Sequence, residues 1–124
     1  MGERDYLTGS DLVTILLSSI EPGTDIRYLD KKLQEGLRPY VVGEEPNALL
    51  SEHFPFHPTY DDSVELHEAV RMLRQGGILT NAGNDFSHDY IERSLRACAE
   101  RAKPVIGDED YQQLQEIGNK ILGL

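Results

Sequence analysis

Apolar positions recur at three- and four-residue spacing in five stretches of the chain, and proline, glycine and capping residues set the limits of each. Ser10 caps the first, in which Leu12, Val13, Leu16, Leu17 and Ile20 share a face until Pro22 and Gly23 stop it, so the spacing predicts a helix over 10–20. Thr24 caps a second over 24–36, with Ile26, Leu29, Leu33 and Leu37 as its stripe and Gly36 and Pro39 at its end. Asp62, with Glu65 three residues on, resembles a capping box for a third helix over 61–75, lined by Leu66, Ala69, Val70 and Leu73 and closed by Gly76 and Gly77. Ser87 caps a fourth over 87–103 through Ile91, Leu95, Cys98, Ala99 and Ala102, with Pro104 as its stop. Asp108 opens a fifth over 108–122 on Tyr111, Leu114, Ile117 and Ile121.

Between the second and third helices lie Pro39, Pro46, Pro55 and Pro58, which predict a long irregular loop at about 39–60 with one short turn over Asn47 to Glu52. Ile78, Leu79 and Thr80 read as one short strand, with Tyr40, Val41 and Val42 as its partner, 40–42 against 78–80. Asn81 to Asp85 is turn chemistry. Helices with one apolar stripe each must pack those stripes together. The expected fold is mainly α, about five amphipathic helices around one core, as a single domain over 1–124.

Charge narrows the function. The chain carries 12 Lys plus Arg against 22 Asp plus Glu, a formal charge of −10, which opposes a simple phosphate-binding surface because such affinity comes from displaced counterions. A lone cysteine, Cys98, cannot form an internal bridge, and the first thirty residues, with six acids, do not read as a signal peptide. A cytoplasmic location is expected. No stretch reaches the roughly 20 apolar residues that cross a bilayer.

Between Arg38 and Arg71 there is no Lys or Arg, while acids are frequent and aromatics interleave them. Glu44, Glu45, Glu52, Asp61 and Asp62 would steer a basic protein partner, and Phe54, Phe56 and Tyr60 would anchor it. In the same stretch His53, His57 and His67 stand among carboxylates, a set able to ligate zinc, although Pro55 separates the first two and no HExxH or paired CxxC is present. No metal or other cofactor is assigned. Ser87, His88 and Asp89 match a triad by type, yet consecutive residues at a helix start point about 100° apart and cannot relay a proton. Cys98, on an apolar stripe, reads as a small hydrophobe.

The region from Arg71 to Lys103 is locally basic. Its third helix followed by Ile78 to Thr80 resembles a winged-helix arrangement, which implies a DNA-binding regulator, with Arg93 and Arg96 as phosphate contacts. The chemistry favours a non-catalytic protein-binding module or inhibitor, of the immunity-factor or adaptor kind, over that regulator. A metal-dependent enzyme using the histidines comes third.

Overall fold

Thr8, not Ser10, opens the first helix. In the computed structural model, which describes residues 7–59, 62–82 and 85–123, Thr8 Oγ1 accepts the Asp11 N–H at 3.2 Å and Asp11 Oδ2 accepts the Thr8 N–H at 2.9 Å. This capping box starts α1 (Gly9–Leu17), and Ser10 Oγ instead donates to the Ala69 carbonyl. Thr8→Ala is expected to lower stability by about 1 kcal/mol, read as a shifted denaturation midpoint, and an unchanged midpoint would mean that the box contributes nothing. Every residue from Leu12 to Leu17 is buried, so α1 is an interior helix, with α4, α5 and α6 packed around it.

The second helix starts later and runs further than its pattern predicts. Residues 25–27 form β1 (Asp25–Arg27), Tyr28 turns the chain at φ 55°, and α2 (Leu29–Val42) follows. Pro39 lies inside α2, where a missing N–H and ring clash ordinarily cost about 3 kcal/mol. The helix continues because Tyr40 and Val41 pack on the core and Tyr40 O accepts the Asn47 N–H at 2.7 Å. The expected pairing of 40–42 with 78–80 is therefore wrong. The irregular loop also shrinks, since α3 (Ala48–His53), capped by Asn47, occupies its middle.

Ser63 caps α4 (Val64–Gln75) by accepting the Leu66 N–H, displacing Asp62 from that role. Two antiparallel strands follow, β2 (Leu79–Ala82) and β3 (Asp85–Ile91). The sheet order is β1-β3-β2, with Ile26 opposite Asp89 and Thr80 opposite Tyr90. The fourth helix starts later than its pattern predicts: 87–91 is strand, and α5 (Ser94–Ile106) begins after it and passes through Pro104. The fifth expected helix matches α6 (Asp108–Leu122), whose first turn carries Asp108, Glu109 and Asp110 at the positive end of its dipole. The described residues thus form a mainly α fold of six helices with one small sheet, joined by one apolar cluster. None of these helices is long and apolar enough to cross a membrane.

Two polar clamps set the position of α4. Gln34 exchanges hydrogen bonds with the Ser63 backbone, Nε2 to O and Oε1 from N, both at 2.8 Å. Arg74 sends Nε and Nη2 to the two oxygens of Asp89, each at 2.8 Å, and Nη1 to Asp30 at 3.2 Å. Asp89 is fully buried, and Asn81 Nδ2 completes its shell at 3.0 Å. The Asp89 hydrogen bonds, acting against burial, raise the Arg74 guanidinium pKa above its ordinary value.

Candidate partner-binding surface

The acid-rich segment divides once its side chains are placed. Glu44 and Glu45 are exposed in the link between α2 and α3, Glu52 is exposed on α3, and Asp62 is exposed ahead of α4. Phe54 is not an anchor for a partner: it is fully buried, with its ring against Gly9 of α1, and belongs to the core. Phe56 is half-buried, and Tyr60 and Asp61 lie outside the described residues.

The three histidines are not brought together. Both ring nitrogens of His53 face main-chain carbonyls, Nδ1 to Leu49 at 3.0 Å and Nε2 to Leu7 at 3.4 Å. His57 Nδ1 accepts the Thr59 N–H, and His67 Nδ1 lies 3.6 Å from Asp30 Oδ2. Among the described residues no group of three or more His, Cys, Asp or Glu is placed to hold a metal ion.

The two arginines singled out as phosphate contacts also part company. Arg96 turns inward, donating from Nε to Ser18 O at 3.1 Å and from Nη2 to Ile20 O at 3.3 Å, with Glu21 at 3.4 Å. It closes the carbonyl end of α1, with 42% of its side chain still exposed. Arg93 is exposed at the start of α5. On α4, Arg71 is bound by Glu68 at 2.6 Å, and that hydrogen bond, with the guanidinium charge, holds the Glu68 carboxyl below the ordinary carboxylate range. Cys98, which lines a groove wall, is partly exposed, with Arg101 Nη2 3.1 Å from its sulfur.

The sequence pattern missed one concave surface. A groove of about 670 Å³ opens between the first turns of α1 and the outer side of α4. From α1 come Gly9, Asp11 and Thr14, from α4 come Val64, Glu65, Glu68, Ala69 and Met72, and Leu73 and Ile78 close the floor. The groove lining includes three carboxylates and no lysine or arginine. Val64 and Met72 are 60% and 55% exposed, high values for such side chains on a helix that has already buried Leu66, Ala69, Val70 and Leu73. Their signal was present in the sequence: both lie off the buried stripe of α4, on the side shared with Glu65 and Glu68.

An apolar trough between fixed helices with an acidic rim has the parts of a recognition surface. Set against protein-family models, curated proteins and solved structures, the chain matches none of them.

Proposed function

We propose that this chain is a non-catalytic protein-binding module, an inhibitor, immunity-type factor or adaptor, which works in the cytoplasm and engages a basic protein surface. One observation carries the reading: the exposed apolar side chains Val64 and Met72 stand in a groove whose charged lining residues are all acids. Exposed apolar area supplies affinity, and the acids on the rim, with Glu44, Glu45, Glu52 and Asp62 beyond it, steer encounter with a cationic partner. The burial of Phe54 removes that one side chain from the proposed anchors, and Val64 and Met72 on α4 join Phe56 and Tyr60 in the role.

A second reading, a DNA-binding regulator, is favoured by connectivity. A helix, a strand, further helices and then a hairpin with β3 between β1 and β2 is the order of a winged-helix arrangement. In that arrangement α4 would face DNA, yet it exposes Glu65 and Glu68, pairs Arg71 with Glu68 and holds Arg74 on Asp89. Its surface would repel phosphate.

Capture from a lysate of the source cell, with bound protein and nucleic acid both identified, separates the readings. The expected ligand is a basic protein released by high salt, and neutralising Glu44, Glu45 and Glu52 to glutamine should slow its association several-fold and flatten the salt dependence. Retention of DNA, with a salt slope reduced by about one in Arg93→Ala, would overturn this reading in favour of the regulator.

A further inference from the structure

The groove itself points to the kind of segment that fills it. We propose that it receives one amphipathic helix of the partner, apolar face against Val64 and Met72, with lysines or arginines against Asp11 and Glu65. This deepens the protein-binding reading and rests on it.

Three observations carry the inference. First, both walls are helices: the groove starts at their first turns, where Thr8 and Ser63 cap part of the free N–H groups, and continues along main chain that is satisfied internally. A segment lying along them finds no ladder of donors and acceptors, so its own N–H and C=O groups must pair within it, which a helix does and an extended strand does not. Second, the apolar ridge has helical dimensions. Val64 and Met72 are eight residues apart on α4, a separation of about 12 Å along the axis, which matches about two turns of an occupant presenting side chains at i, i+4 and i+7.

Third, the charge selects a cation. Asp11 comes from one wall and Glu65 from the other. Arg71 places both Nε and Nη2 on the single oxygen Oε2 of Glu68, and Asp11 Oδ2 already holds the Thr8 N–H, whereas Glu65 has no cationic partner among the described residues. A second copy of this chain is a poor occupant, because each copy brings a further formal charge of −10 to an acidic rim. The wall is also preformed, since the Gln34 and Arg74 clamps hold α4 at both ends.

The test uses the full chain and a synthetic peptide of about 16 residues, about four helical turns, with leucines at i, i+4, i+7 and i+11 and lysines flanking them. Binding is followed by fluorescence anisotropy and peptide helicity by circular dichroism. The peptide should bind and become helical. Val64→Lys with Met72→Lys should weaken binding at least tenfold, and Glu65→Lys should weaken it several-fold at low salt only. Both sites are exposed, so the fold tolerates these changes. Glu109→Gln with Glu116→Gln on α6, which removes two acids elsewhere, should leave affinity within twofold, and a peptide with glutamates in place of lysines should not bind.

Equal binding of a peptide carrying a central proline would overturn the helix, and insensitivity to the Val64 and Met72 changes would overturn the groove. A concentration-dependent dimer in sedimentation, dispersed by Val64→Lys with Met72→Lys, would assign the groove to a second copy and also overturn the proposal. If the peptide fails while neutralising Glu44, Glu45 and Glu52 still slows the captured basic protein, this inference falls and the protein-binding reading stands. If no basic protein is captured either, both fall.

Discussion

Asp89→Ala is expected to lower folding stability by about 3–5 kcal/mol, because it leaves a mostly buried guanidinium without its two shortest hydrogen bonds. Asp30 remains on Nη1, but Nε and Nη2 of Arg74 lose their acceptors and Asn81 Nδ2 keeps only the His88 carbonyl. Isolated removal and joint replacement should differ in size. Arg74→Met combined with Asp89→Leu, which removes both charges and keeps volume, should recover most of the loss, since desolvation of an ion pair offsets much of its attraction. Denaturant midpoints at constant slope measure each variant. A loss below about 1 kcal/mol for Asp89→Ala, or a double variant no more stable than the single one, would show that the pair is not the clamp described.

Gly118→Ala should cost about 3 kcal/mol, at the upper end of what one added methyl group causes in a packed interior. A Cβ at Gly118 would stand 1.9 Å from Leu16 O and 2.6 Å from Leu16 C, so α6 and α1 meet backbone to backbone there. The obstacle cannot rotate away. The same substitution at an exposed helical glycine would gain about 1 kcal/mol, which makes the sign of the effect diagnostic. Gly36→Ala is the informative comparison. Its Cβ would meet Cγ2, Cγ1 and Cβ of Ile121, a β-branched side chain that is stiff at χ1 but sits near the end of α6, and because the obstacle is side chain and not backbone the cost should be smaller. Thermal melts showing Gly118→Ala as stable as the parent would mean that the two helices are not in contact at this point.

The helices α4 and α6 were legible in the sequence because each carries a single unbroken stripe between recognisable stops. Strand β3 was not. Its inward positions include Asp89, and a carboxylate in an apolar alternation hides the period of two, while Ile91, Leu95 and Ala99 continue the spacing of a helix. The guanidinium of Arg74, fifteen residues away, with Asn81 Nδ2 beside it, makes that buried charge tolerable. Pro39 and Pro104 misled for a related reason: core packing outweighed the lost hydrogen bond, and packing is not a local property. For the candidate surface, the run of acids was plain, but the burial of Phe54 and the inward turn of Arg96 depend on partners 45 and 78 positions away in the chain, Gly9 and Ser18. No window of sequence contains them.

The placement of α1 has a consequence for the order of assembly. From Leu12 to Leu17 this helix is buried, yet the groups that close over it come late in translation: Arg96 reaches Ser18 across 78 positions and Gln115 reaches it across 97. Closing loops of that length carries an entropic cost that short-range contacts do not repay, so the nascent N-terminal segment has no native shelter while it leaves the ribosome. Six consecutive buried residues, Leu12 to Leu17, then face solvent as an unsheltered sticky stretch until α5 and α6 arrive. A chain interrupted before α6 never closes that wall.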